Sequence, residues 1–368
     1  MSAVYLDHAA TTRPEEAVIT AMAACMQDCW ANPSAVYGEA RKPKRELRLA
    51  RQALAKILRC DHMAILLTSG GTQSNNLALR LATGGHAVVS AIEHSSVLEA
   101  AQLWAREVTL VQPDKNGVIQ PEAVAAALRK DTALVSVQAA NNETGVLQPV
   151  EAIGRLLREK RIPFHVDAVQ AFGQVPVKAA CCDMMSLSAH KFYGPRGAGA
   201  LYVRPGVALP ALMAGGGQER NLLAGTENVA AVCGMRVAAE MAMADMAARG
   251  DRERALLAQL IAGLRAGIPS LQVLGEDAER LPGVTALHLP GLLAEQAIAV
   301  LDLLGVMVSG GAACAAASGE ASHVYRAMGL TEAAARDVIR VSVGRHTTAE
   351  EIDRAVAAIL QVWEKYRR

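Results

Sequence analysis

The stretch MMSLSAHKFYGPRGAGALYV, residues 184–203, decides the fold because it predicts two apolar strands joined by a Gly/Pro-rich turn. Upstream, short β-rich runs alternate with Ala/Leu-rich helical stretches from about residue 60. This alternation is typical of a mostly parallel sheet covered by helices on both faces. The later strands lack long intervening helices, so part of the sheet is expected to be antiparallel. The seven predicted strands are Ala64–Thr68, Ala87–Ala91, Val108–Val111, Ala133–Val137, Phe164–Asp167, Met184–Ser188 and Ala200–Val203.

The helical segments predict how the chain divides. A long helix is expected to begin at Thr226, as N-cap, and to end near Ala248, with Gly250 as a break. A capping box from Thr348 to Glu351 predicts the start of the last helix. Shorter helices are predicted at Thr72–Ala82, Ser95–Arg106, Pro121–Arg129 and Pro149–Lys160. We therefore expect an N-terminal segment, 1–14, associated with the smaller domain, a large α/β domain, 15–249, and a smaller α+β domain, 250–368.

Composition excludes several classes of function. The 368 residues are 52% hydrophobic and carry a net charge of +1, so the chain can bury a large core and has no basic field for nucleic acid or an anionic membrane. Aromatic residues are only 3%, which argues against stacking platforms for single strands. Its seven cysteines are odd in number and form no CxxC pair, so we expect neither a disulfide framework nor a metal site. The sequence shows no signal peptide and no apolar span, so we expect a cytoplasmic protein.

The segment LLTSGGTQSNNLAL, residues 66–79, predicts a strand, a turn and a helix. Backbone N–H groups at a helix N-terminus favour an anion, and Gly70 and Gly71 would let a phosphate approach closely. A plain strand–turn–helix connection explains the same pattern equally well.

Two further strand ends carry residues suited to chemistry. Asp167, in FHVDAVQ, ends a predicted buried strand, where its carboxylate needs a partner such as a protonated ring nitrogen or a structural arginine. Lys191 follows another apolar strand, where burial lowers the pKa of an amine and favours its attack on an aldehyde. A phosphate turn, an aspartate and a lysine together are what pyridoxal phosphate requires.

Motifs along nearly the whole chain resemble those of cysteine desulfurases of the NifS/IscS type, within the class V aminotransferase family. The matching motifs occur in the family's order. They are YLDHAATT (5–12), NPSAVYG (32–38), TSGGTQSNN (68–76), EHSSVL (93–98), NNETGVLQP (141–149), HVDAVQ (165–170), SLSAHKFYGPRGAGALYV (186–203), GGGQERNLLAGTEN (215–228), VSGGAAC (308–314), SHVYRAMGL (322–330) and IRVSVGRHTT (339–348). The resemblance implies a pyridoxal phosphate-dependent transferase of fold type I.

The resemblance also implies residue roles around the cofactor. Lys191 would attach it, Asp167 would pair with its ring nitrogen, Gln170 would donate to its phenolic oxygen, and His94 would stack on its ring and could shuttle protons. The phosphate would be bound by Gly71, Thr72, Ser188 and His190, together with Thr226 of the neighbouring subunit, which implies a homodimer.

The substrate and the sulfur route follow from the same resemblance. Asn142 and Arg340 would bind L-cysteine, with Arg340 pairing to its carboxylate, whereas Arg345 is the weaker candidate. Cys314 lies in a Gly/Ala/Ser-rich stretch without packing periodicity, unlike Cys233, which is expected in the core. The Cys314 thiolate would take the substrate sulfur as a persulfide, leave L-alanine, and pass the sulfur to an acceptor protein such as an iron–sulfur cluster scaffold.

Four positions depart from the family pattern: His8, Gln73, Leu223 and Ala312. They weaken expectations about rate, substrate discrimination and acceptor rather than about the cofactor. One alternative keeps the cofactor, as a selenocysteine lyase or another class V enzyme acting on a related amino acid. Others are a non-enzymatic sulfur-trafficking scaffold and a nucleotide-binding protein that uses the SGGT turn.

Overall fold

The computed structural model describes residues 3–311 and 321–367. The strands in these ranges are β1 (Val4–Tyr5), β2 (Ile65–Thr68), β3 (His86–Ser90), β4 (Glu107–Val111), β5 (Thr132–Ser136), β6 (Phe164–Asp167), β7 (Met184–Ser188), β8 (Gly199–Val203), β9 (Gln272–Val273), β10 (Val284–His288), β11 (Val306–Met307) and β12 (Val338–Ser342). The α-helices are α1 (Glu16–Asp28), α2 (Arg41–Leu58), α3 (Gly71–Leu79), α4 (Ser95–Trp104), α5 (Pro121–Ala127), α6 (Val150–Glu159), α7 (Gln218–Asn221), α8 (Val229–Gly267), α9 (Ala294–Leu303), α10 (His323–Ala327), α11 (Glu332–Ala335) and α12 (Ala349–Tyr366).

The central sheet confirms the predicted fold class. Its seven strands lie in the order β2-β8-β7-β6-β5-β3-β4. Only β8 runs antiparallel, to β7 on one side and β2 on the other, as the missing helices around it predicted. The seven strand predictions fall within one residue of the observed bounds at each end.

Helices cover both faces of this sheet, so its strands are apolar on both sides. On β2, Ile65 and Leu67 pack in one hydrophobic cluster while Leu66 packs in the other. Helices α1 and α2 both pack against α8 beside the first cluster. Because consecutive side chains of a strand point to opposite faces, this burial requires the nearly continuous apolar runs of the sequence.

Our prediction for the long helix was wrong at both ends. Helix α8 begins at Val229 with Asn228 as N-cap, because the Asn228 side chain accepts the N–H of Ala231, and Thr226 lies before it. The helix continues through Gly250 to Gly267 without a break. A single glycine costs only about 1 kcal/mol in a helix, and Leu256 and Leu260 bury the continuing face. The predicted capping box of α12 is confirmed.

A second core lies in the C-terminal part of the chain. Strands β9, β10 and β12 form an antiparallel sheet. Strand β1 pairs in parallel with β11, and Val4 and Leu6 pack in this second core. The N-terminal segment thus contacts C-terminal residues, and our division at residue 249 remains a proposal. Across residues 3–311 and 321–367, no helix is both long and apolar enough to traverse a bilayer.

Candidate active site

A cavity of ≈ 260 Å³ opens where the carboxyl ends of the central strands meet β12. Loops after β2, β3, β6 and β7 line it, which is where open α/β sheets bind their ligands. The C-terminal antiparallel sheet contributes Arg340, on β12, to the wall of the cavity.

The cavity brings together ten of the twelve residues to which the resemblance gives a role in the site. Those lining it are Gly71, Thr72, His94, Asn142, Asp167, Gln170, Ser188, His190, Lys191 and Arg340. Thr226 is exposed and does not line the cavity. Cys314 falls outside the described residues.

The N-terminus of α3 lines the cavity and offers it backbone N–H groups of the kind that bind anions. Gly70 precedes the helix at φ 148°, a backbone conformation that favours glycine. A Cβ at Gly71 would lie 2.8 Å from Cγ2 of Val169, so only glycine fits there without a shift. Ser188 and His190 line the cavity as well, and burial lowers the pKa of His190 to about 4, so that it is a neutral hydrogen-bonding group near pH 7.

Asp167 is buried at the end of β6 with both oxygens engaged. Oδ1 accepts the N–H of Val169 at 2.9 Å, and Oδ2 accepts Nδ2 of Asn75 at 2.7 Å. Burial raises the pKa of this carboxyl, and the two donors oppose that shift. A cationic partner in the cavity would stabilise its ionised form further.

Lys191 follows β7 and points its amine at the N-terminal segment. Nζ donates to the carbonyl oxygens of Ala9 at 2.6 Å and Ala10 at 2.8 Å. Burial, followed by repulsion from Arg340, lowers the pKa of Lys191 to about 8. A lysine with that pKa has a substantial neutral fraction near pH 7, which is the form that can act as a nucleophile.

His94 caps helix α4. Its Nδ1 accepts the backbone N–H of Ser96 at 3.1 Å and lies 2.8 Å from Oγ of the same residue. Burial is the main cause that lowers the pKa of His94, which favours the neutral ring.

Arg340 already has protein partners in the cavity. Its Nη2 donates to Oδ1 of Asp7 at 2.6 Å, and its Nη1 donates to the carbonyl of Asn142 at 3.1 Å. Nε is buried without a hydrogen bond to the described residues. Arg345, the weaker candidate, instead forms ion pairs with Glu15 and Asp245 outside the cavity lining.

Sequence reasoning missed several polar groups that hold these side chains. They are Asp7, the carbonyls of Ala9 and Ala10, Asn75 and Ser96. One signal was available, because Asn75 follows Gly71 by one helical turn and so lies on the same face of α3. No local signal could have paired Asp7 with a residue 333 positions away.

Three of the four departures from the family pattern can be located. His8 is mostly buried against the ring of Tyr5, and burial lowers its pKa to about 4. Gln73 accepts the N–H of Ser69 at 2.7 Å and so braces the turn before α3. Leu223 is buried in the cluster on the α3 side of the sheet. Ala312 lies outside the described residues.

The donor set fits pyridoxal phosphate on three separate observations. The glycine turn at the start of α3 offers backbone N–H groups, Asp167 offers a buried carboxylate, and Lys191 offers an amine of lowered pKa. Oε1 of Gln170 is buried without a partner among the described residues, so it can accept a hydrogen bond from an occupant. Within the same ranges no group of three or more His, Cys, Asp or Glu side chains could hold a metal ion.

Comparison with known proteins gives consistent results. Residues 4–355 match the family described as "Aminotransferase class-V". The protein named "Cysteine desulfurase IscS" of Clostridium botulinum (strain Hall) is 37% identical, with 99% of this chain and 95% of that protein covered. The protein of the same name from Anaeromyxobacter sp. (strain Fw109-5) is 40% identical, with coverage of 99% and 93%. A solved structure titled "NIFS-LIKE PROTEIN" has a TM-score of 0.91 at 31% identity, covering 99% of this chain and 100% of that one, and confirms the expected type I fold.

Proposed function

The chain belongs to the aminotransferase class-V family, and we propose that it is a pyridoxal phosphate-dependent cysteine desulfurase that converts L-cysteine to L-alanine and delivers the sulfur to an acceptor protein. The observation that carries this proposal is that Lys191, Asp167, the N-terminus of α3 and Arg340 all line one cavity. Relatives named cysteine desulfurases across 99% of the chain favour this activity over a selenocysteine lyase.

Each end of the cavity has a separate task in this proposal. Gly71, Thr72, Ser188 and His190 bind the phosphate. The first two begin α3, Ser188 lies against Gly71, and His190 lines the same cavity. Asp167 holds the ring nitrogen and Gln170 the phenolic oxygen. When bound, pyridoxal phosphate supplies the electron sink for bond cleavage beside the amino acid Cα.

Lys191 provides the amine that attaches the cofactor. Its lowered pKa, about 8, keeps a useful fraction of the amine neutral, and the carbonyls of Ala9 and Ala10 orient Nζ. Since the same pKa lies near neutral pH, this amine can also take and return a proton once it is free.

Arg340 and Asn142 bind the substrate. The guanidinium offers its charge to the substrate carboxylate, and Asp7 shares the same group. The Asn142 carbonyl fixes Nη1 of the guanidinium from the other side.

Cys314 receives the sulfur. The substrate C–S bond breaks, an S–S bond forms on the Cys314 thiolate, and the substrate carbon takes a proton to give alanine. The persulfide then passes its outer sulfur to the acceptor, for which an iron–sulfur cluster scaffold is our first candidate.

Sulfide and alanine release from L-cysteine, with dithiothreitol as thiol acceptor, tests the activity. We expect release by the wild type, none by Lys191→Ala, and strong loss in Cys314→Ala. Cys60→Ala is the matched control, because burial raises the pKa of that thiol to about 11 and it does not line the cavity. Unchanged sulfide release in Cys314→Ala would refute the persulfide route, and a purified protein without a borohydride-sensitive yellow colour would refute the cofactor.

The proposal includes a homodimer in the cytoplasm. Thr226 is exposed and outside the cavity lining, which supports its action on the phosphate of the neighbouring subunit. The six cysteines within the described residues are free thiols, as a reducing compartment requires. Light scattering gives the mass in solution. Mixed dimers of Lys191→Ala and Thr226→Ala chains should keep one intact site, and activity no higher than that of the parents would contradict shared sites.

A further inference from the structure

Helix α4 uses a histidine ring as its N-terminal cap. His94 occupies the N-cap position with extended backbone, φ −64° and ψ 148°, and its side chain accepts the N–H of Ser96. Caps are more often Ser, Thr, Asp or Asn, whose side-chain oxygens accept at any ordinary pH. A histidine nitrogen accepts only while it carries a lone pair.

The donor in this cap is a backbone amide, which fixes the position of the proton on the ring. A backbone N–H can only donate, so Nδ1 of His94 must be the unprotonated nitrogen. The proton of the neutral ring then resides on Nε2. That nitrogen makes no hydrogen bond to the described residues, and the His94 side chain lines the cavity.

A second contact strengthens this assignment. Asn75 Nδ2 lies 2.9 Å from Ser96 Oγ and 2.7 Å from Oδ2 of Asp167, so one amide nitrogen donates to both. Because Ser96 Oγ accepts from Asn75, its own hydrogen is free to donate to Nδ1 of His94 at 2.8 Å. The series of hydrogen bonds that joins Asp167, Asn75 and Ser96 therefore ends at Nδ1 of His94, the same nitrogen that accepts the backbone N–H of the cap.

We propose that Asn75 and Ser96 are positioning residues that hold His94 as the neutral imidazole with its proton on Nε2, directed into the cavity as a hydrogen-bond donor. In this form His94 orients and packs against the occupant. The doubly protonated imidazolium is disfavoured, because protonating Nδ1 would displace the backbone N–H of Ser96 and leave helix α4 without its cap.

The charged groups around His94 act in both directions, whereas burial and the cap both favour the neutral ring. The titratable groups that act on it are Asp167 and Glu143, which favour the cation, and Lys191 and His323, which disfavour it. Burial opposes the cation as well.

Nitrogen-15 NMR of the histidine-labelled protein, without cofactor and with it, measures the tautomer directly. The His94 signal is assigned by its loss in His94→Asn. We expect one Nε2-protonated neutral ring at pH 8 and at pH 7. A ring protonated on Nδ1, or a doubly protonated ring at pH 7, would overturn the inference.

Variants separate the two positioning residues from the backbone cap. Ser96→Ala and Asn75→Leu should introduce the Nδ1-protonated tautomer or exchange broadening at His94, while Ser96→Thr should restore the wild-type signal. Ser95→Ala and Asn76→Ala are matched controls, since neither side chain bonds to His94 or Ser96. Wild-type spectra in both Ser96→Ala and Asn75→Leu would remove the role of these side chains.

The chemical meaning of this inference rests on the proposed function, but its test does not. The tautomer is read from the ring itself, whereas desulfurase activity is read from sulfide and alanine. Either result can therefore fail while the other holds. Retained helical circular dichroism shows that each variant is folded.

Discussion

The guanidinium of Arg340 lies 2.6 Å from the carboxylate of Asp7, although the two residues are 333 positions apart. Arg340 is 1% exposed and Asp7 comes from the N-terminal segment. The group that we assign to the substrate carboxylate therefore already carries an acidic partner, which ties the first residues of the chain to the site.

Replacing Asp7 by Asn should weaken the fold and strengthen substrate binding. Loss of a hydrogen bond between charged groups costs about 1.5–3 kcal/mol, which urea unfolding measures. Removing a like charge that shares the guanidinium with the substrate carboxylate relieves a repulsion of about 1 kcal/mol or more, so the KM for L-cysteine should fall about fivefold. Asp251→Asn, in an exposed pair with Arg254, should change neither quantity. A higher KM in Asp7→Asn would show that Asp7 orients Arg340 instead.

The reactivity of Lys191 should follow its lowered pKa. Because burial brings that pKa from 10.5 to about 8, the neutral fraction at pH 7 is about 300-fold larger than in an ordinary lysine. The rate at which the apoprotein takes up pyridoxal phosphate should rise with pH and level off above about pH 8. Borohydride trapping and mass spectrometry locate the modified lysine, with the exposed Lys178 as internal control. A rate that still climbs at pH 10 would contradict an amine of this pKa.

Glu143 should matter for sulfur transfer and not for cofactor binding. Gly311 and Ser322 flank residues 312–320 and both lie against its carboxylate. Ser322 Oγ donates to Oε2 at 2.6 Å, and a Cβ built on Gly311 would fall 2.7 Å from the same oxygen. Glu143→Gln weakens that anchor by about 1.4 kcal/mol, so sulfide release should fall about tenfold.

The cofactor absorbance of Glu143→Gln should match that of the wild type, and Glu122→Gln, an exposed change on α5, should leave sulfide release intact. Loss of the cofactor absorbance in Glu143→Gln would instead place its role at the cofactor.

Buried His165 should make the apoprotein sensitive to acid. Its ring lies 2.8 Å from the hydroxyls of Ser136 and Ser186, and burial lowers its pKa from 6.5 to about 3. Between pH 6.5 and 3, His165 therefore binds a proton in the unfolded chain but not in the folded chain. The contribution of neutral His165 to the free energy of unfolding is fully present above pH 6.5 and is lost as the pH falls below that value. At pH 4 the loss amounts to about 3 kcal/mol.

His165→Asn should flatten the fall of the urea midpoint between pH 6.5 and 4, even if its midpoint at pH 8 is lower. His62→Asn, at an exposed position, should keep the wild-type slope. Equal slopes in all three proteins would exclude His165 as the acid-sensitive group.

The sequence predicted the central sheet closely because burial on both faces leaves a direct trace. Each strand must be apolar almost throughout, and polar turns separate the strands from helices of different period. The end of α8 was missed for the opposite reason. Gly250 is a local weakness that buried leucines outweigh, and packing of that kind is not visible in a short window of sequence.

The sequence by itself determined which reactive groups follow the strands of the central sheet: a glycine turn, Asp167 and Lys191. Through resemblance, it also indicated the residues around them. These lie at strand ends, where a parallel sheet necessarily gathers them at one edge. Only the tertiary structure decided which groups hold those side chains. Asp7 pairs with Arg340, and the carbonyls of Ala9 and Ala10 accept from Lys191, across long separations in sequence. Asn75 and Ser96 act on His94 through the direction of single hydrogen bonds. Such contacts depend on how distant segments pack, so no local pattern of residues encodes them.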